Sequence, residues 1–549
     1  MRHRTGFFIL TYINIATLPQ AYAQSALDRA TPPARGPEVA APDLPQSRPA
    51  IAVDNIPAET APADAPAITV GAISLNGLTV LSLDQFTDLL GEYVGRSLAP
   101  ADLAALTNRV AQRARDRGYV FATARISPQK LAAGILVVEV DEGRIDRVEV
   151  QGSNNKAVRA ALEPLANGRP VSLDDLERRL LIAGDIDGIR IKGTRYARNG
   201  EQRVLIVTVA QDSASARIAI RNDGTRPIGP VQIHVEGMIS QLLASDDSLT
   251  IGYSTAVPQS RELQYARLRY EKRLNASGTE VALASTLSAV RPGSYLSGYE
   301  ILGRNWSQSI AILQPLLRRR RASLWLNASA EIDDLTQRRG GRLVRHDRET
   351  VLRLGIYGYE NFLGGRLRAS AVLSQGVDLF AATGPQDPLA SRYDADGTFT
   401  AANFWLEWTR ALGSGFSVRL AGDSQLASQP LLISEEAGLG GGAFLRGYDW
   451  NERSGDQAAM GSAELRYDVR RPFGVADRAQ LYAFGDGGVV SNLSNGFGSG
   501  SLASAGGGVR VDFSRAVGAT AEVAVPLTGP RYDTGNRQPR FNFGLSTSF

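Results

Sequence analysis

A chain of 549 residues exceeds one ordinary domain, so two or more units are expected. Its 60 basic and 56 acidic residues nearly cancel, which excludes the dominant basic field of a nucleic-acid binder. With no cysteine, disulfides and thiolate metal sites are excluded, and three histidines (His3, His234, His346) supply histidine chemistry poorly, so neither metal nor cofactor is expected.

Residues 1–23 read as a secretory signal. Arg2, His3 and Arg4 precede a mostly apolar run from Phe7 to Ile15, and Ala21-Tyr22-Ala23 offers the small–x–small cleavage pattern at Ala21 and Ala23. The run is too short for a membrane anchor. No later segment holds 18 consecutive apolar residues, so transmembrane helices are not expected. A closed barrel of alternating strands leaves no such peak and stays open as a route into a membrane. Residues 24–67 carry nine prolines and little to build a core from, and read as an extended tether.

Two similar units follow, at 68–142 and 143–212. In the first, Ile68–Leu75 reads as a strand ending at Asn76-Gly77, and Ser82 with Gln85 forms a capping box for a helix carrying Leu83, Phe86 and Leu90. A second helix, about Ala101–Arg117, turns Leu103, Leu106, Val110 and Ala114 inward. Strands at Tyr119–Ile126 and Ile135–Val140 close the unit. The second unit begins with a strand at Arg144–Val150 and a helix at Lys156–Leu165. A helix capped by Ser172 carries Leu173, Leu176 and Leu180, and Val204–Val209 is the closing strand. The segments GRSLAPADL and GRPVSLDDL, from Gly95 and Gly168, share four positions, the mark of a duplicated small domain.

From about 213 to 549 the period changes to two. Val231, Ile233 and Val235 alternate with Gln232, His234 and Glu236; Ala463, Leu465 and Tyr467 alternate with Glu464, Arg466 and Asp468; Phe541, Phe543 and Leu545 alternate with Asn542, Gly544 and Ser546. Some 336 residues of this pattern suffice for about 16 strands of roughly 10 residues with loops. Repeated arginine and glutamate suits a wet lumen, because one such charge facing lipid costs roughly 2–4 kcal/mol at mid-membrane. The fold class is therefore an antiparallel membrane β-barrel behind two small α/β domains.

Beyond residue 67 the chain resembles the two-partner secretion transporters, or haemolysin secretion/activation proteins, of the outer-membrane assembly-factor superfamily. Arg117-Gly118-Tyr119, Pro128-Gln129, Gly134 and Glu142-Gly143 fall where that family's first polypeptide-transport-associated (POTRA) domain ends, and RNDGTRPIG from Arg221 resembles the opening of its barrel. GGGAFLRGYDW, containing Leu445-Arg446-Gly447-Tyr448, resembles the tip of a loop folded back into the barrel, with leucine where the family carries a valine-like residue. FGDGG, Phe484 to Gly488, resembles the strand whose aspartate receives that arginine. The resemblance thus implies an ion pair between Arg446 and Asp486. It further implies an ATP-independent pore of the outer membrane, with its POTRA domains in the periplasm. Its partner would be a large β-helical secreted exoprotein of haemolysin or adhesin type. Outer-membrane lipid or lipopolysaccharide would surround it, and the barrel-assembly machinery would insert it.

Other chemistry is poorly supported. There is no Gly-Lys dipeptide for a phosphate-binding loop and no GxSxG nucleophile elbow, so no catalytic residue is assigned. Arg318 to Arg321 reads as a charged turn or lumen edge, and Asp246-Asp247 as a solvated loop. The competing readings are an assembly factor for other barrels and, less favoured, a passive porin.

Overall fold

A computed structural model of the chain describes residues 51–53, 66–131, 134–199, 202–494 and 496–549. The signal and most of the tether lie outside these residues. The tether nevertheless contributes a strand, β1 (Ile51–Val53).

The first small domain comprises β2 (Ile68–Thr69), β3 (Ala72–Asn76), the short α1 (Thr87–Gly91), β4 (Ser97–Leu98), α2 (Pro100–Asp116), β5 (Thr123–Arg125) and β6 (Ile135–Asp141). Its sheet runs β3-β6-β5, with α2 burying Leu106, Val110 and Ala114 in the domain core. Three sequence expectations shift here. The strand from Ile68 breaks at Val70-Gly71, because β2 pairs with β4 while β3 pairs in parallel with β6. The Ser82 capping box does not form, since the Ser82 side chain makes no cap bond. The preceding turn is gathered instead by the buried Glu142 carboxylate, which accepts from Thr79 N (2.9 Å), Val80 N (3.1 Å) and Leu81 N (2.6 Å). Finally, Tyr119–Ile126 is a turn before it is a strand: Tyr119 N bonds back to Ala114 O and only Thr123–Arg125 pairs with β6.

The second domain comprises β7 (Arg147–Gln151), α3 (Lys156–Leu162), α4 (Leu173–Gly184), β8 (Ile189–Asn199) and β9 (Gln202–Gln211). Ser172 does cap α4, its hydroxyl accepting from Asp175 N at 3.1 Å. The sheet order is β1-β8-β9-β7, so the tether strand lies parallel along the outer edge of β8, a strand the sequence reading did not place. The two domains are stapled together. Phe121 of the first stacks on Tyr196 of the second at 4.1 Å between centroids, and Arg203 pairs with Asp141. Gly143 sits against this stack at φ +81°; a Cβ there would meet the Phe121 Cβ at 2.6 Å.

Sixteen strands then close into one antiparallel barrel among the described residues. They are β10 (Ala214–Arg221), β11 (Val231–Ser240), β12 (Asp247–Val257), β13 (Leu263–Arg273), β14 (Glu280–Val290), β15 (Ile301–Arg318), β16 (Ala322–Arg339) and β17 (Arg342–Phe362). There follow β18 (Gly365–Gly376), β19 (Phe399–Gly413) and β20 (Phe416–Ala427). A small hairpin, β21 (Ala437–Leu439) and β22 (Arg453–Gly455), lies within the next loop. The last barrel strands are β23 (Gln457–Arg470), β24 (Arg478–Ser491), β25 (Gly500–Asp512), β26 (Val517–Pro526) and β27 (Arg540–Ser548). β27 closes the cylinder on β10, with Arg217 opposite Ser548 and Arg221 opposite Gly544. Leu268, Leu465, Phe541 and Phe543 face outward and exposed, while Glu464 on the alternate face is buried inside. An exposed apolar wall with a charged interior is what lipid outside and water inside demand. No helix among the described residues is long and apolar enough to cross a membrane.

The arginine run at the β15–β16 turn docks the second domain. Arg318 is buried, paired bidentately with Asp185 at the end of α4, bonded to the Tyr359 hydroxyl (3.1 Å) and stacked over Trp325 (4.9 Å). Arg319 pairs with Asp174, and Arg320 lies 3.8 Å from Glu177. In return Arg178 and Arg179 of α4 donate to Leu316 O and Ala276 O. Asp247 is likewise no solvated loop residue: it is buried and accepts from Leu243 N, Ala244 N and the Tyr270 hydroxyl. Arg318→Ala would leave Asp185 without its partner at a cost of about 3 kcal/mol. Protease cleavage at the Asp212-Ser213 connection of the membrane-inserted chain should rise; cleavage unchanged from the parent would show that the turn carries no docking energy.

Candidate functional site: a loop locked inside the barrel

The loop from 428 to 456 joins β20 to β23 and folds back into the lumen. Its tip reverses direction at Leu445, which holds φ +59° and is fully buried among Leu439, Tyr448, Val490 and Leu502. Gly488 on the wall lies against that side chain, so the leucine in place of a smaller residue is accommodated by packing. Gly447 brings the tip onto β25 and β26: a Cβ there would lie 2.9 Å from Ser504 Cβ and 3.0 Å from Pro526 N. The Tyr448 hydroxyl bonds Thr528 Oγ1 (2.9 Å) and donates to Gly529 O (3.1 Å), fixing the far side of the turn.

Arg446 and Asp486 meet in a fork. Arg446 Nε lies 3.0 Å from Asp486 Oδ2, Nη2 lies 3.0 Å from Oδ1, and the Arg446 amide also donates to Oδ2 at 3.1 Å. The arginine side chain is 5% exposed and the aspartate 0%, so the pair is dry. Two acids that sequence reading did not place in the site complete the cage. Arg446 Nη1 donates to Glu464 Oε2 at 2.9 Å and reaches Glu522 Oε2 at 3.3 Å, while Nη2 donates to Ser462 Oγ at 3.2 Å. The guanidinium lies over the Phe484 ring, 3.3 Å from its centroid. Five donors thus find acceptors, the condition under which a buried arginine is tolerated.

The second sphere balances the charge. Glu464 is also bound by Arg510 and Arg466, and Glu522 accepts from the Tyr482 hydroxyl (2.9 Å) and Asn542 (3.1 Å). Three arginines (446, 466, 510) therefore face three carboxylates (464, 486, 522) on β23 to β26. A period-two pattern with Glu464 inward was legible from sequence; that it would converge with Glu522, 58 positions on, was not. At the loop base, Arg531 and Arg540 pair with Asp449, and Arg392 pairs with Asp456 and Glu436, tying neighbouring loops over the far mouth.

The lock occupies one wall only. Along β10 to β14 a cavity of about 1050 Å³ remains, reaching from the Gly184–Ile189 loop of the second domain to Gly441 and Trp450 of the folded-in loop. Arg217, Arg267, Glu236 and Glu271 line it. At its floor Asp187 accepts the Ser248 hydroxyl at 2.7 Å, and burial pushes its carboxyl above the ordinary range.

The POTRA motif residues lie elsewhere and are structural. Exposed Arg117 ends α2, and Gly118 O accepts Leu173 N of the second domain. Tyr119 packs on the first core. Gln129, after Pro128, pairs both ways with Val137 (Nε2 to O 2.7 Å; N to Oε1 2.9 Å), covering the part of β6 that short β5 leaves bare. Gly134 opens β6 at φ +74° and its carbonyl accepts Gly71 N. Among the described residues no acidic or histidine cluster is arranged to hold a metal.

A closed barrel, two small domains at one mouth and a loop tip bonded to the inner wall are the architecture of a membrane-barrel transporter with POTRA domains. Residues 200–511 match the model described as "Haemolysin secretion/activation protein ShlB/FhaC/HecB", and residues 68–143 match the ShlB-type POTRA domain, so the chain belongs to this family of two-partner secretion transporters. It is 22% identical over 392 residues to the heme/hemopexin transporter protein HuxB of Haemophilus influenzae, covering 70% of this chain and 69% of the relative. It is 21% identical over 504 residues to the outer membrane transporter CdiB of Escherichia coli, covering 86% and 81%. The solved structure of CdiB from Escherichia coli superposes with a TM-score of 0.70 at 19% identity, over 90% of this chain and 93% of that one. The protein is an outer-membrane transporter that exports a secreted partner protein, with its POTRA domains in the periplasm.

Arg446→Ala, losing a buried pair worth about 3 kcal/mol, should raise the open fraction of the loop roughly a hundredfold. Thiol labelling of a single cysteine at buried Phe444 in this cysteine-free chain would report it. Asp486→Asn should raise labelling less, because Glu464 and Glu522 still hold the guanidinium. Equal labelling of parent and Arg446→Ala would contradict the lock.

Proposed function

We propose that the POTRA domains capture an unfolded exoprotein in the periplasm by adding one of its segments to the open edge of β7, beside α3. The cargo then threads the cavity along β10 to β14 while the Arg446 loop leaves the β23–β26 wall. The observation that carries this reading is the division of the lumen: a sealed ionic lock on one wall and open volume on the other, continuous with the second POTRA domain. Parallel pairing of the chain's own β1 on β8 is the same kind of contact, a strand added to this sheet through main-chain bonds. The β7 edge has β9 on one side and no strand on the other among the described residues.

No ATP and no covalent chemistry are needed, and the chain acts as a pore, not an enzyme. Folding of the cargo outside the cell supplies direction. The cargo is a large β-helical protein of haemolysin or adhesin type; lipid and lipopolysaccharide surround the barrel, and the barrel-assembly machinery inserts it.

Photo-crosslinkers placed at exposed Arg147 and Gln151, the ends of β7, should trap the cargo during export. Crosslinks from α2 of the first domain alone would overturn the β7 assignment. Deleting the transporter should strand one exoprotein in the periplasm; a broad loss of outer-membrane proteins would instead mark an assembly factor.

A further inference from the structure

The outward wall of the barrel is not uniform. Going up β15 from the periplasmic end, the lipid-facing side chains run Ile312, Ile310, Gln308, Trp306 and then Arg304; on β16 they run Ala330, Ile332, Asp334, Thr336 and Arg338. Trp306 and Tyr253 are 42% and 43% exposed, and large aromatics at the end of an apolar stretch mark the boundary between acyl chains and headgroups. The arginines therefore stand at headgroup depth on the extracellular side.

A crevice of about 400 Å³ opens at this boundary. It is lined by Tyr253, Ala266, Leu287, Ala289, Arg304 and Trp306. The register explains it: Tyr253, Ala266, Leu287 and Trp306 are successive neighbours across β12 to β15, so the small Ala266 sits between the larger Tyr253 and Leu287 and leaves a furrow of acyl-chain character. Gln264, Ala289 and Arg304 form the next row above.

The charges above the furrow are unbalanced. Arg304 is exposed and has no hydrogen-bond or ion-pair partner among the described residues. Arg304 lies opposite Thr336, which makes Arg338 its diagonal neighbour on the same face, within reach of one bound group. Arg338 is exposed and donates only to Gly341 O. Asp334, which lines the crevice and is the other diagonal neighbour of Arg304, is already paired with Arg348 (2.6 Å) and His346 (3.2 Å). Two uncompensated guanidiniums thus stand over an apolar furrow.

We infer that this crevice seats the phosphorylated glycolipid of the outer leaflet, with a lipid A phosphate bridging Arg304 and Arg338 and an acyl chain lying over Ala266 and Ala289 between Tyr253 and Trp306. Guanidinium forks match phosphate oxygens, and the extracellular leaflet is where a phosphorylated glycolipid is found. The inference rests on the outer-membrane orientation and not on the export route, so it stands or falls apart from the cargo reading.

The test is titration of the full mature chain, held in phosphatidylethanolamine nanodiscs, with bis-phosphorylated lipid A, fully dephosphorylated lipid A and phosphatidylglycerol, read by native mass spectrometry. Bis-phosphorylated lipid A should bind the parent at least about tenfold more tightly than either other lipid. Arg304→Gln with Arg338→Gln should abolish that preference, and Arg304→Lys with Arg338→Lys should retain most of it. Heat-modifiable electrophoretic mobility checks that each variant is a closed barrel. Equal binding of phosphorylated and dephosphorylated lipid A by the parent would overturn the site without recourse to any variant. So would phosphatidylglycerol binding as tightly as lipid A, or an undiminished preference in the folded glutamine variant.

Discussion

A guanidinium cannot rest in the narrowed lumen of a barrel unless every donor is met, and that constraint organises the C-terminal half of this chain. Arg446 needs the Asp486 fork, Glu464, Glu522, Ser462 and the face of Phe484 at once. Those groups come from β23, β24 and β26, so the loop can lock only where these strands bring them together. Because each neighbouring acid is itself shared with Arg466, Arg510, Tyr482 or Asn542, the cage is neutral as a whole. Such a cluster stabilises one loop position through many modest bonds. Release of that loop takes Arg446 away and leaves Arg466 and Arg510 facing three carboxylates, so the wall keeps one negative charge in excess, which favours the loop's return.

The lock on one wall gives meaning to the vacancy on the other. The cavity along β10 to β14 is floored by the loop that follows α4, and α4 is held in place by Arg318 and its flanking arginines. Positions of the POTRA pair, the floor and the lumen are thus coupled mechanically. The Phe121–Tyr196 stack and the Arg203–Asp141 pair tie the first POTRA domain to the second, and so to this docked helix.

How much of this was legible depended on how local the determining physics is. Period-two alternation reports which face of a strand meets lipid, so residues such as Leu465 and Glu464 declared their sides at once. Ser172 declared its cap because the bond spans three residues. Ser82 misled because the competing acceptor, Glu142, is 60 positions away and offers three main-chain bonds where the hydroxyl offers one. The arginine run at 318–321 reads as a charged turn or lumen edge because its partners Asp185, Asp174 and Glu177 lie on a different domain. The tether strand β1 was invisible for the same reason: three residues carry no pattern, and only the free edge of β8 makes them a strand. Arg446 and Asp486 were paired by family resemblance; Glu464 and Glu522 joined them only through the closure of the barrel.

The proposed export route requires the Arg446 loop to leave its wall when cargo passes. Spin labels at Ala443, on the loop tip, and at exposed Arg537, on the loop joining β26 to β27, report that motion by pulsed dipolar spectroscopy. At rest one short distance should dominate; with a partner protein arrested in transit, a second, longer distance should take over in proportion to the occupied pores. A distribution identical in resting and cargo-filled barrels, in a preparation that still exports, would show that the loop stays on its wall during passage.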